Sequence, residues 1–419
     1  MSRPLLRAAV LLLAAACSRS AAPPPPPSPV AEGEAVRPGA APAAATRLTP
    51  APGATARIIR PRPDPCLPAD PTASPKAVAD EARRALEGGQ KQRALDCSEE
   101  ALRASPRSVA GLAVRADALT ALDRLDEARL AYAHALAIEP ENPVTLLGAA
   151  ELYVRHLSGE RDSLETGLEY ALRGARAALR PPYRDRELAA EHQLLAGMAE
   201  NDLGRNGSAL AHLDRALAVF PNDPDVIYER GVALFELCRF EEAHRTFERA
   251  LSHSPDDPWV LHQLGLLAER QGDSAGASRL LSRAQELDPG DFAPEVPVDE
   301  RAFRAEVDAA IASLPADDRR ALSQVPIEIR DLPDSSDLLA VDPPLSPSIL
   351  GLYRGPPEDE PCPPAEGPRC RSIVFYRKNL ARFAHSREEL VTQVRITLLH
   401  ELGHLHGEDD DELRDRGLE

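Results

Sequence analysis

A spacing of 34 residues runs through this chain and limits what it can become. Ala94 and Ala128 stand 34 apart, as do Ala209, Ala243 and Ala277. The same offset joins Ala101 to Ala135, and Ala216 to Ala250 and Ala284; it also joins Pro106 to Pro140, and Pro221 to Pro255 and Pro289. Earlier in each unit the small residues Ala82 and Ala116, then Gly197, Gly231 and Gly265, keep the same phase. A unit of this length cannot bury its apolar face alone, so neighbouring units must stack. Small side chains let two short helices touch closely, and proline ends the second helix because it cannot continue the hydrogen-bond ladder. Between the two in-phase blocks the offset is 81, or 34 plus 47, so the unit around 144–186 carries an insertion or a degenerate helix pair. About six helix pairs are expected over residues 76–292, with the third irregular.

Period and positions together resemble the tetratricopeptide repeat. The resemblance implies an all-α helical-repeat solenoid with a concave groove that takes a protein or peptide partner; the plainer alternative is a purely structural array. No groove residue can be named from sequence. Beyond Pro289 the periodicity stops. FRAEVDAAIASL (303–314) has helical apolar spacing, while PIEIRDL (326–332), ILGLYRG (349–355) and RSIVFYR (371–377) are rich in branched and aromatic residues and predict strands. The chain is therefore expected to be multidomain, the solenoid being followed by a small α+β domain over 297–419.

The amino end is different again. MSRPLLRAAVLLLAAACSRS places two arginines before an apolar run too short to span a bilayer, the pattern of a secretory signal over 1–17. Cys17 after three alanines resembles the lipidation site of bacterial lipoproteins, although Ala14 stands where leucine is usual and Leu13 lies one place further back. That resemblance implies an acylated Cys17 and a membrane-anchored protein, with Ser18 favouring the outer membrane; simple cleavage and secretion is the alternative. Residues 18–75, with PPPPPSP and RPRPDP, cannot form a core and predict a semi-stiff linker. A net charge of −18 repels phosphates and excludes nucleic acid as a main partner. In an exported chain Cys362 and Cys370, which bracket PPAEGPR, could close a disulfide or remain free thiols. Cys66, Cys97 and Cys238 remain, an odd number, and the absence of a CxxC pair argues against a cysteine zinc site.

The chemistry sits in HELGHLHGEDDDEL, 400–413. SREELVTQVRITLLHELGHLHG (386–407) predicts one helix, with Ser386 and Glu389 as a capping box and Gly407 as its stop. On it His400 and His404 are four apart and share a face, so two imidazole nitrogens can reach one zinc ion. Glu401 beside them can take a proton from a water that the ion acidifies, the HExxH logic of metallopeptidases. A reversal at Gly407 would return a carboxylate as third ligand. Asp410 is the choice, standing where the metzincin pattern HExxHxxGxxH has its third histidine; Asp409, Asp411 and Glu412 are the alternatives. His406 points off that face. Two histidines and a carboxylate also suit iron. Tyr376, like Tyr353, precedes an arginine and could stabilise an oxyanion, although strand aromatics are usually core. RSIVFYR, if it lies at a sheet edge, could pair with an extended peptide.

Metzincins are excluded by their methionine turn, since only Met1 and Met198 exist here. FRAEVDAAIASLP, VPIEIRDLP, ILGLYRG, IVFYRKNL, the HExxHxxGxxD motif and DDELRDRGL, in that order, resemble the minimal zincin-like metallopeptidase family. The resemblance covers about the last 120 residues. It implies one zinc held by His400, His404 and Asp410, with Glu401 catalytic. Two functions are carried forward: an exported, lipid-anchored zinc metallopeptidase whose repeats recruit substrate, and a tetratricopeptide scaffold with a non-catalytic metal-binding domain.

Overall fold

The computed structural model describes residue 66 and residues 74–362 and 370–418. Cys17, the expected signal and nearly all of the proline-rich stretch lie outside the described residues.

Among the described residues the first twelve helices form six consecutive pairs. These are α1 (Pro75–Glu87) with α2 (Lys91–Ala104), α3 (Val109–Ala121) with α4 (Leu125–Ile138), and α5 (Pro143–Glu151) with α6 (Arg161–Ala178). Next come α7 (Arg186–Asp202) with α8 (Asn206–Val219), α9 (Pro224–Glu236) with α10 (Phe240–His253), and α11 (Pro258–Arg270) with α12 (Ser274–Leu287). Ser74, Ser108, Asn142, Asp185, Asp223 and Asp257 each accept a backbone N–H of the first turn, satisfying a donor that the helix itself cannot. Second helices stop two residues before Pro106, Pro140, Pro221, Pro255 and Pro289. A Cβ on Gly231 would lie 2.4 Å from the Phe247 ring, and one on Gly197 2.5 Å from Leu213. Those pairs therefore touch with no room for a larger residue, which is why the small positions keep phase.

The longer third unit is built from several small additions. α5 runs on through a π-helical turn, Leu152–His156, α6 reaches 18 residues, and residues 179–185 lead into α7. Glycines let the extra length pack: a Cβ on Gly167 would be 2.7 Å from Val154, and one on Gly174 would overlap the ring of buried His192. Cys66 and Cys97 form a disulfide that ties the approach of the chain to α2, and Cys238 is free.

The remaining elements are α13 (Glu300–Ser313), α14 (Ala316–Leu322), β1 (Ile327–Arg330), α15 (Ser335–Leu338), β2 (Gly351–Arg354), β3 (Ser372–Tyr376), α16 (Arg377–Phe383), α17 (Arg387–Leu405) and α18 (Asp410–Asp415). The sheet order is β1-β3-β2, with β1 parallel and β2 antiparallel to β3. One core joins Phe303, Val307 and Leu314 of α13 and its C-cap to Ile373 and Phe375 of β3 and to Leu390, Val394, Leu398 and Leu402 of α17. The condition on which RSIVFYR could pair with a peptide is not met: β3 is central and fully buried, and β2 is an edge. A strand flanked on both sides and packed on both faces needs the continuous apolar run SIVFY.

The two parts are joined by charge. Glu269, near the end of α11, accepts from Lys378 Nζ at 2.8 Å and Arg382 Nη2 at 2.5 Å, both on α16. Arg270 donates to the Pro333 carbonyl at 3.0 Å. Among the described residues no helix is long and apolar enough to cross a membrane.

Candidate metal centre

The centre is built on α17. Ser386 caps it by accepting the Glu389 N–H, while the Glu389 carboxylate accepts from the backbone N–H of His385 rather than of Ser386, so the expected capping box closes one residue early. Its apolar face is buried in the core, which fixes the helix's rotation and leaves His400 and His404 half-buried along the opposite side. α17 ends at Leu405, and Gly407, at φ 89°, takes the left-handed conformation that reverses the chain.

His400 and His404 meet with their Nε2 atoms 3.1 Å apart. His400 Nδ1 lies 2.7 Å from the Leu418 carbonyl and His404 Nδ1 3.0 Å from the Glu408 carbonyl. A carbonyl can only accept, so each Nδ1 donates its ring proton there, and in a neutral ring the Nε2 then carries the lone pair that a metal takes. Asp410 Oδ1 completes the group, 3.7 Å from His400 Nε2 and 3.4 Å from His404 Nε2. Ligands about 2.0–2.1 Å from a tetrahedral zinc stand roughly 3.3 Å from one another, so these spacings fit the ion.

Why Asp410 and not its neighbours follows from α18. Asp409 is the N-cap, accepting the Glu412 N–H at 2.9 Å, and the Glu412 carboxylate accepts the Asp409 N–H in return. Asp411 pairs with Arg414. Asp410 is left projecting toward the histidines. His406 turns elsewhere, its Nδ1 2.8 Å from Glu358 and its Nε2 3.7 Å from Asp318.

Glu401 is 5% exposed. Burial pushes its carboxyl up to about 8, against the backbone N–H of Tyr353, which it accepts, and together with the nearby charge of Asp410. The sheet register explains that donor. Tyr376 N–H bonds the Leu350 carbonyl, so in this antiparallel pair Gly351 and Tyr353 turn their backbone groups away from β3, toward the free edge. Gly351 lets β2 approach: a Cβ there would be 2.6 Å from Glu401 Oε1.

Tyr376 does not serve this centre. Its ring is fully buried, and a buried hydroxyl needs an acceptor, which is Asp337 Oδ2 at 2.9 Å. Asp337 also takes a two-point bond from Arg354 at 2.9 and 2.7 Å. The Tyr353 hydroxyl donates to the Pro356 carbonyl at 2.5 Å. Cys362 and Cys370 are joined by a disulfide, and the segment before it is pinned by Arg371 to the Pro356 and Pro357 carbonyls. That segment lies over the end of α17, with Glu358 N–H donating to the Leu405 carbonyl at 2.7 Å. Sequence reasoning missed Gly351 and three backbone groups, the Tyr353 N–H and the Glu408 and Leu418 carbonyls. Backbone groups leave no mark in residue identity.

Residues 322–418 match the zincin-like metallopeptidase family, and residues 79–143, 203–261 and 239–294 match tetratricopeptide repeats. No curated protein matches the chain. Among solved structures it is similar to PilW, described as a widely conserved type IV pilus biogenesis factor, at 21% identity over 52% of this chain and 94% of that one, with a TM-score of 0.45. It is also similar to PilF of Pseudomonas aeruginosa at 18% identity over 56% and 97%, TM-score 0.44. A third is YrrB, described as a repeat protein with an unusual peptide-binding site, at 18% identity over 46% and 93%, TM-score 0.36. The chain thus joins a tetratricopeptide repeat solenoid to a carboxyl-terminal zincin-like metallopeptidase domain.

Proposed function

We propose that the protein is an exported, lipid-anchored, zinc-dependent metallopeptidase that hydrolyses peptide bonds in a substrate recruited by its repeats. One observation carries this: the Nε2 atoms of His400 and His404 and the Oδ1 of Asp410 converge, and Glu401, the residue after the first histidine, is buried beside them. A structural zinc site has no need of a buried carboxyl next to its ligands. His400, His404 and Asp410 would hold one zinc, which when bound supplies Lewis acidity and makes water acidic near neutral pH.

The chain's own residues do the rest. Glu401 accepts a proton at a carboxylate oxygen and returns it to the leaving amine, the two halves of general base and acid work. Its other contact, the Tyr353 N–H, holds the carboxylate in place between those transfers. β2 presents the outward backbone groups of Gly351 and the outward carbonyl of Tyr353, whose N–H is held by Glu401, and an extended peptide laid along this edge would bring its scissile carbonyl beside Glu401.

Lipidation at Cys17 and a location in the cell envelope, facing the periplasm or exterior, belong to the same proposal; the Cys66–Cys97 and Cys362–Cys370 disulfides support an oxidising compartment. Fatty-acid labelling lost in Cys17→Ala tests the anchor. For the chemistry, zinc content by elemental mass spectrometry and cleavage of a peptide library should be compared between parent, His404→Ala and Glu401→Gln. Expected are about one zinc per chain, lost in His404→Ala, and cleavage abolished in Glu401→Gln with zinc retained. Equal turnover by Glu401→Gln and parent would sink the catalytic assignment. Zinc without turnover in the parent would leave the repeats as a scaffold carrying a metal-binding domain.

A further inference from the structure

Both histidines of the centre need a proton on Nδ1 and a bare Nε2, and a single segment, residues 408–418, meets that need twice. Its first carbonyl accepts from His404 and its last from His400. Between them it also delivers Asp410. We infer that the Leu418 carbonyl is a positioning group for the metal: it holds the His400 ring in the tautomer and rotation that aim Nε2 at Asp410, and so sets the affinity of the site. The inference rests on the zinc site proposed above.

The fold places that carbonyl with care for its position rather than its side chain. Leu413 is fully buried and packs onto α17 at Gly403, where a Cβ would lie 2.2 Å from Leu413 Cδ2. α18 is thereby seated directly on the helix that carries the histidines. Gly417 N–H then donates to the Arg414 carbonyl at 2.8 Å and Leu418 N–H to the Leu413 carbonyl at 3.1 Å. Gly417, at φ 71°, makes the reversal that turns Leu418 inward, where it is 9% exposed. An ion pair between Arg416 and Glu408 joins the two ends of the segment. The Leu418 carbonyl is therefore anchored by a buried residue on each side of the turn, which is what a fixed acceptor for a ligand ring requires.

A purely structural role would be different. The hydrogen bond would then steady the turn, its loss would lower the unfolding temperature, and zinc affinity would stay as it was. Gly417 offers a clean probe, because a Cβ there meets nothing within 4 Å, so Gly417→Ala changes only the backbone's preference for the left-handed turn. Gly272, at φ 80° between α11 and α12 and equally open, is the matched control far along the chain.

The experiment uses the whole protein. Zinc dissociation constants are measured by competition with a chelating dye for the parent, a protein shortened to end at Gly417, Gly417→Ala and Gly272→Ala. Metal-free unfolding and the nitrogen chemical shifts of the His400 ring are recorded beside them. The shortened protein should bind zinc about 10–100-fold more weakly, the usual cost of losing such a partner, with His400 now mixing tautomers. Gly417→Ala should move the same way by less, and Gly272→Ala should bind like the parent. Should the shortened protein fail to fold, Gly417→Ala alone decides. Equal zinc affinity in parent, shortened protein and Gly417→Ala would overturn the inference while leaving the site intact. A parent that takes up no zinc would instead remove the site itself, and the inference with it.

Discussion

Gly351→Ala separates the placement of Glu401 from the binding of metal. By intrinsic preference the change should help, since glycine inside a strand costs roughly 0.5–1 kcal/mol relative to alanine. The structure reverses that sign. The new methyl would sit 2.5 Å from Thr397 Cγ2 and 2.6 Å from Glu401 Oε1, about 1 Å inside normal contact. Neither neighbour can swing clear, because both are 5% exposed on α17 and a β-branched threonine in a helix is nearly confined to its rotamers. β2 must therefore lift off the helix, which breaks the Tyr353 N–H bond to Glu401. Overpacking of this kind costs about 1–3 kcal/mol, which for a domain of this size lowers the unfolding midpoint by about 4–10 °C. Calorimetry of the full chain reads the midpoint, and elemental analysis reads the zinc. The added methyl meets Thr397 and Glu401 first, so zinc should stay at the parent level while peptide cleavage falls at least 10-fold. An unchanged or raised midpoint would refute the close approach of β2 to Glu401.

Three further outcomes follow from other parts of the molecule. Glu269→Ala strands Lys378 and leaves Arg382 only its longer 3.8 Å contact to Glu295, and should cost about 3 kcal/mol, with calorimetry showing the carboxyl-terminal domain melting apart from the repeats; a single unshifted transition would count against the junction. Burial raises the Glu200 carboxyl to about 7, against the pull of Arg205 and Arg215, so its ionisation opposes folding: the penalty is absent below about pH 4.5 and full above about 7. Glu200→Gln should accordingly stabilise by about 1 kcal/mol at pH 8, once solvent screening is allowed for, and do nothing at pH 4, which thermal melts at the two pH values would check. Gly231→Ala should destabilise the repeats by about 1–3 kcal/mol because the added methyl meets the buried Phe247 ring; denaturant unfolding showing a gain, as helix propensity alone would suggest, would exclude that packing.

Much of this protein is legible from residue order, and for a local reason. The 34-residue phase of Ala94, Pro106, Gly231 and their equivalents reflects helix length, helix contact and helix end, all of which lie within one unit. A four-residue spacing puts His400 and His404 on one face of any helix, and the glycine after them permits the turn that brings Asp410 back. What tertiary structure alone decided involves partners remote in sequence. The register of β2 on β3 sets which strand is the edge and aims the Tyr353 N–H at Glu401. The hydroxyl of Tyr376, a residue whose type allows several roles, is committed to Asp337 by burial. The pairing of Cys66 with Cys97 and the seat of Lys378 and Arg382 on Glu269 depend on how whole elements dock. The partner of each histidine Nδ1 is a backbone carbonyl, and every residue has one, so no sequence pattern could have pointed to Glu408 and Leu418.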